Sequence, residues 1–182
     1  MGKGTDLLKK HSTNGTNLFK NVIASSGAFT DVTADSNGII YASDSKGYIY
    51  VYTRDGELIF CLGEKAGNND VSGLFSSLTT IAVDNNGNIW TADGKKGFIQ
   101  SFTPTEYATT IYKALQEYEN GDYTDALKDW NYVLRLNQMS VLAHNGVAKA
   151  YYNDEEYDKA MEHFEIAGNR SGYSDAFWEV RN

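Results

Sequence analysis

The 182-residue chain contains a single cysteine, a single proline and three histidines. One thiol, Cys61, cannot form an intrachain disulfide, so no disulfide framework supports the fold and the redox compartment stays open. Long apolar runs are also missing. No stretch approaches the ~20 residues of a membrane-spanning helix, and the first fifteen residues lack an apolar signal core. Positive charge is scarce, with 16 basic against 24 acidic side chains for a net charge of −8. The imbalance is uneven: nine basic and ten acidic residues precede Glu106, whereas seven and fourteen lie from Glu106 onward. An acidic surface repels phosphate backbones, which argues against nucleic acid and leaves proteins, peptides or neutral sugars. Aromatic residues are plentiful, with thirteen tyrosines, so the composition is that of a folded chain. The length fits two small domains better than one large one.

Two unrelated internal repeats account for nearly the whole chain. Residues 30–53 return at 79–103 with one inserted residue near Gly94, and residues 107–140 return at 141–174 with no gap. The first pair has the two-residue rhythm of strands. Val32–Ala34, Ile39–Ser43 and Tyr48–Thr53 are short and rich in β-branched and aromatic residues, as are Ile81–Val83, Asn88–Ala92 and Phe98–Thr103. Asp35-Ser36-Asn37-Gly38 and Asp84-Asn85-Asn86-Gly87 read as turns: glycine supplies a positive φ and the aspartate holds the turn to its own backbone. Glu57–Leu62 is a fourth strand. Leu8–Thr13, Asn14-Gly15 and Thr16–Val22 line up with Ile49–Arg54, Asp55-Gly56 and Glu57–Leu62, so a strand pair is expected there as well, as if the sequence opened in the middle of a repeat.

Four strands recurring at a spacing of about fifty point to propeller blades. The Asp-x-x-Gly turn, the Ser43-Asp44 and Ala92-Asp93 pairs, the basic turns and the linker Gly63–Gly67–Gly73-Leu74-Phe75 resemble the NHL family. Ser76-Ser77 stands where that family often has proline. Propellers close with roughly four to eight blades, so the two and a half blades here imply part of a longer protein, or edges covered by a second copy.

From Thr103 the period lengthens to that of helices. Thr103-Pro104-Thr105-Glu106 offers an N-cap, a proline at N1 and a glutamate at N3. Ala114, Tyr118, Tyr123, Ala126, Trp130 and Val133 correspond to Ala148, Tyr152, Tyr157, Ala160, Phe164 and Ala167. Small residues at fixed places let helices approach, and aromatics fill the gaps. Gly121-Asp122-Tyr123-x-x-Ala126-Leu127-x-x-Trp130 resembles the tetratricopeptide (TPR) family, with Gln138 in place of the usual proline and Glu155 in place of the usual glycine. A third unit is expected to begin at Ser174, capped there and stapled by Tyr173 and Trp178.

The expected architecture is therefore a multidomain α+β chain: incomplete antiparallel β-propeller blades over residues 5–103, then an all-α array of helical hairpins over residues 104–182. The resemblance to tetratricopeptide repeats implies a partner-binding inner face at Ile111, Leu115, Tyr118, Glu119, Asn145, Lys149, Tyr152 and Asn153. Tyr118 and Tyr152 would either anchor a peptide there or pack on the next hairpin. Little in the sequence marks a reactive centre. His11, His144 and His163 have no neighbour at metal-ligand spacing, and Cys61, on an apolar strand without a basic neighbour, reads as a buried and inert thiol. Asp35, Asp44, Asp84 and Asp93 recur once per blade, which indicates a shared structural task. The expected function is a non-enzymatic scaffold that binds a peptide or partner protein. It would need no cofactor or metal, would make no membrane contact through this segment, and could self-associate through open blade edges. The alternative is a metal-dependent sugar-lactone hydrolase, a class that resembles the propeller half. Proteins combining both modules resemble bacterial envelope components, which implies a membrane-anchored, extracytoplasmic parent.

Overall fold

The computed structural model describes residues 7–66 and 71–181 and divides into two compact units, Met1–Thr103 and Pro104–Asn182. Strands arranged mainly in antiparallel sheets are followed by five helices, a mixed α+β chain. Gly67 of the expected linker lies outside the described residues.

In the first unit, β1 (Leu7–Leu8) pairs with β2 (Ile23–Ala24). β3 (Phe29–Ala34), β4 (Ile40–Asp44), β5 (Ile49–Tyr52) and β6 (Leu58–Leu62) form a four-stranded antiparallel meander in chain order. A short parallel pair, β7 (Glu64–Lys65) and β8 (Leu74–Phe75), precedes the three-stranded antiparallel sheet of β9 (Leu78–Val83), β10 (Ile89–Asp93) and β11 (Phe98–Phe102). Alternation along the strands gives the first sheet two buried faces. On one, Ile40, Ala42 and Tyr52, flanked by Phe29 and Tyr50, pack on Phe19 and Ile23. On the other, Tyr41, Ile49 and Val51 are fully buried, and β3 and β4 pack against β9. Asp31 clips the two sheets together, its Oδ2 accepting from the Thr80 hydroxyl at 2.6 Å and the Ile81 N–H at 3.0 Å.

The strands expected at 8–13 and 16–22 reduce to β1 and one bridge between His11 and Asn17. The Asn14-Gly15 turn does form, with the Gly15 N–H donating to the Ser12 carbonyl at 2.9 Å. Backbone pairing runs on from the turn, the Ser12 N–H donating to the Thr16 carbonyl at 2.9 Å and the Leu18 N–H to the Lys10 carbonyl at 2.7 Å, without building a continuous strand.

The second unit comprises α1 (Glu106–Asn120), α2 (Tyr123–Leu136), α3 (Val141–Asn153), α4 (Tyr157–Ile166) and α5 (Arg170–Arg181). Each helix packs on the next, and α3 also touches α1 and α5. Ala114, Ala126, Ala148 and Ala160 are fully buried at the crossings. The joint between successive hairpins is an aromatic ring on a glycine. A Cβ at Gly146 would fall 2.3 Å from the Trp130 ring, and one at Gly172 would fall 2.5 Å from Phe164. Losing an aromatic buried like Trp130 costs about 3–5 kcal/mol. The solvent-screened ion pairs of Lys113 with Glu117 and Asp129 contribute far less, so packing sets the crossing.

Two helix starts differ from expectation. The cap of α1 is Thr105, two residues beyond Thr103, and its hydroxyl accepts from the Ala108 N–H. Glu106 is instead engaged by the Tyr132 hydroxyl at 2.7 Å, so it does not close a capping box with Thr103. Helix α5 begins at Arg170, and Ser174 lies inside it. Asn169 does the capping, its Oδ1 accepting from the Gly172 N–H at 2.9 Å.

The ends of α1 and α3 repeat bond for bond. Gly121 and Asp122 donate to the carbonyls of Tyr118 and Glu117, and Glu155 and Glu156 donate to those of Tyr152 and Tyr151. The geometry requires a left-handed residue, which Gly121 supplies at φ 86° and Glu155 must adopt at φ 62°. A side chain in that region costs about 1–2 kcal/mol, partly offset by the extra freedom of glycine in the unfolded chain. Glu155→Gly is therefore expected to stabilise the helical unit by about 0.5–1 kcal/mol, read as a higher urea midpoint in the helix circular dichroism. An unchanged or lower midpoint would show that Glu155 is not strained.

Candidate interaction sites

The recurring carboxylates are filled by the protein's own donors. Asp44 is fully buried at the end of β4. Its Oδ1 accepts from the N–H groups of Lys46 and Tyr48 at 2.9 and 3.0 Å, and its Oδ2 from the Gly27 N–H at 3.2 Å and the Tyr50 hydroxyl at 3.1 Å. Asp93 does the same for β10: Lys95 and Lys96 donate to Oδ1, and Ser76 and Ser77 to Oδ2. Burial alone would raise the Asp93 pKa, but these four donors outweigh it and hold the carboxyl below its usual range. Asp35 and Asp84 close the β3–β4 and β9–β10 turns through paired N–H groups. The side chains of Asn88 and then Trp90 bring Asp84 down to about 2. All four carboxylates thus carry turns and loops, which is the shared task that their recurrence implied.

Cys61 departs from expectation. It is exposed on β6, the edge strand of the four-stranded sheet, opposite Tyr50. Desolvation of the thiol, followed by the Asp44 carboxylate, still pushes its pKa up, so the thiolate is disfavoured at neutral pH.

Of the eight expected face residues, Ile111 is fully buried and offers a ligand no surface. Leu115, Tyr118, Asn145, Lys149 and Tyr152 are half-buried, and Glu119 and Asn153 are exposed. The structure brings several of them together. Asn153 donates to the Tyr118 hydroxyl at 3.0 Å and to the Lys149 carbonyl at 2.7 Å, tying α3 to α1. Tyr118 packs on Tyr123 and Tyr152 on Tyr157, with ring centroids 5.3 and 5.5 Å apart. Asn145 is drawn instead to Asn169, whose amide donates to its Oδ1 at 2.7 Å.

Sequence reasoning missed two α5 residues on this face, Asp175 and Glu179. Burial first, then Glu179 and Asp175, raise the Tyr152 pKa. Burial, Glu155 and Glu179 do the same for Tyr157. Two tyrosines thus sit among carboxylates drawn from the α3–α4 turn and from α5. The signal was available in the i, i+4 spacing of Asp175 and Glu179, but it emerges only once α5 starts at Arg170.

A second missed constellation is His144 with His163, brought together from α3 and α4 with Nδ1 atoms 2.9 Å apart. Ring centroids 5.1 Å apart place both nitrogens close to the line joining them. That is hydrogen-bond alignment, since lone pairs converging on a shared ion would draw the rings closer. His144 Nε2 lies 3.1 Å from the Gln138 carbonyl, which can only accept. The Nε2 proton is thereby fixed on His144, and His163 Nδ1–H donates to His144 Nδ1. Protonating both rings would set two N–H groups against each other. Burial first, then His144, lower the His163 pKa, while Glu162 pulls the other way. Tyr151 lies tilted beside His163, with the Lys159 ammonium 5.3 Å from the centre of its ring. Among the described residues, no group of three or more His, Cys, Asp or Glu is placed to hold a metal ion, and no helix is long and apolar enough to cross a membrane.

Comparison with protein-family models gives no match, and comparison with curated proteins gives none.

Two outcomes are expected. Asp93→Ala strands four loop N–H donors and should cost at least about 2 kcal/mol in urea unfolding; a change within error would mean that the carboxylate does not hold the loop. For His163, the folded pKa lies below the unfolded value of 6.5. The unfolded chain therefore binds more protons in that window, and stability present above it is lost as pH falls. The helical urea midpoint should drop between about pH 7 and 5, and His163→Gln should flatten the drop. An equally steep fall in the variant would refute the assignment.

Proposed function

We propose that the chain is a non-enzymatic interaction module, with NHL-like propeller blades followed by tetratricopeptide-type hairpins. Its helical face receives a cationic segment of a peptide or partner protein. The observation that carries this reading is the grouping of Tyr152 and Tyr157 with Glu155, Asp175 and Glu179. Aromatic faces attract cations and also bury the aliphatic stem of a lysine or arginine, while carboxylates at the rim bind the charged head. The excess of acidic residues from Glu106 onward adds long-range attraction for such a ligand. Tyr118, held by Asn153 and packed at a tilt on Tyr123, is a packing residue that steadies the face. Matching bond patterns at the ends of α1 and α3, and aromatic-on-glycine joints between hairpins, support the tetratricopeptide reading. Recurring carboxylate-held turns support the blade reading.

The test uses the full chain and a fluorescent lysine- and arginine-rich dodecapeptide, with a glutamate-rich peptide as control. Anisotropy should show salt-sensitive binding of the basic peptide alone. Asp175→Asn with Glu179→Gln should weaken it at least about tenfold, or about 1.4 kcal/mol. Asp122→Asn with Asp125→Asn makes the same charge change on α2 and should leave affinity within about twofold, a net-charge effect in high dielectric. Equal losses in both double variants, or no binding, would overturn the site.

A further inference from the structure

The two sheets carry the same pair of faces, yet one of those faces is covered in the first sheet and bare in the second. By the internal repeat, Tyr41 corresponds to Trp90, Ser43 to Ala92, Ile49 to Ile99 and Val51 to Ser101. The local structure agrees: the Tyr41 hydroxyl donates to Asp35 Oδ2, and the Trp90 Nε1–H donates to Asp84 Oδ2, at equivalent places. Strand register places Trp90 beside Ala82 and Ser101, and Ala92 beside Ile99, so these residues share one face. In the first sheet Tyr41, Ile49 and Val51 have 0% exposure because the next sheet packs there. In the second sheet Trp90 is 45% and Ile99 70% exposed.

From this equivalence we propose that the Trp90–Ile99 face docks a second copy of this chain, head to tail. The proposal rests on the stacked-blade reading given above. What covers the corresponding face in the first sheet is another sheet of the same repeat, so the surface is shaped for a sheet of its own kind. A second copy can offer the opposite end of its stack. There the segment between β1 and β2 turns Phe19 and Ile23 onto the first sheet and leaves Leu18 and Val22 exposed, at 49% and 78%. The two bare surfaces lie on different parts of the molecule. The contact is therefore heterologous, and two copies can satisfy both pairs of surfaces by closing a ring. It should also be reversible. The Asp31 clip between the sheets is not repeated, because Thr80 occupies the equivalent position, and Ser101 replaces the apolar Val51.

Sedimentation velocity of the full chain from about 1 to 200 μM, a range spanning reversible association, should show monomer passing to dimer. Ile99→Glu and Val22→Glu alter exposed side chains on the two opposed surfaces, and circular dichroism checks that each variant folds. Each alone should remain monomeric over the whole range. Their equimolar mixture should recover a 1:1 complex, because one intact pairing survives between them. A parent monomeric throughout would overturn the proposal and show that some other occupant fits this face. Dimerisation untouched by either variant, or a mixture that fails to associate, would also overturn it, and dimerisation lost in one variant but kept in the other would show a face-to-itself contact instead. Peptide binding by the helical face reads out separately, so loss of dimerisation alone leaves the preceding reading standing.

Discussion

A carboxylate that accepts four or more hydrogen bonds at the end of the second strand is the constraint on which the sheet unit depends. Asp44 and Asp93 each gather N–H donors from the turn that follows and from the loop that precedes the sheet. That fixes where the chain enters the first strand relative to where it leaves the second. Register follows: with the entry loop pinned, β3 and β9 each meet their partners with one irregularity beside the aspartate. Register in turn decides which residues lie on which face, since a one-residue slip would exchange Tyr41 with Ala42. Both the buried and the bare faces of the two sheets thus descend from a pair of acidic side chains that could be mistaken for chemistry. Their oxygens are already occupied by the backbone, which makes them poor candidates for work on a ligand.

The helical unit obeys a different constraint, close approach. Four buried alanines and glycines under Trp130 and Phe164 let the helices come near enough for aromatic rings to span the hairpins. The same closeness determines which residues remain available to a partner. Ile111 disappears into the interior, while Tyr152 stays half-buried beside α5. His144 and His163 are a by-product of the same geometry. The crossing of α3 and α4 places two rings in hydrogen-bond reach, although nothing in either helix alone requires it.

Much of the architecture was legible because repetition is itself a measurement. Two copies of a turn with aspartate first and glycine fourth identify the hairpins, and two copies of alanines and aromatics at matching helical places identify the helix pairs. What the sequence hid falls into two kinds. Local competition between side chain and backbone escaped it: Asn169 capped α5 ahead of Ser174. Contacts between elements escaped it as well. The histidine pair is nineteen residues apart, and Asp175 reaches Tyr152 from a helix whose cap had been placed five residues too late. Cys61 was misread for a similar reason, since an apolar strand sequence does not reveal that the strand lies at the edge of its sheet.

Internal repeats also allow the fold's demands to be separated from a partner's, because each residue has a counterpart under the same backbone constraints. Where counterparts share both contact and environment, packing explains them: Gly121 and Glu155 differ in chemistry yet make the same bonds, so the backbone geometry, not the side chain, is what the fold needs there. Where they share the contact but differ in environment, as with Tyr41 and Trp90, packing within the chain accounts for the first and leaves the second unexplained. Trp90 keeps its hydrogen bond to Asp84, but at 45% exposure a large part of its apolar surface gains nothing from folding. Its burial energy is realised when another surface arrives, which makes the difference between counterparts a guide to where association occurs.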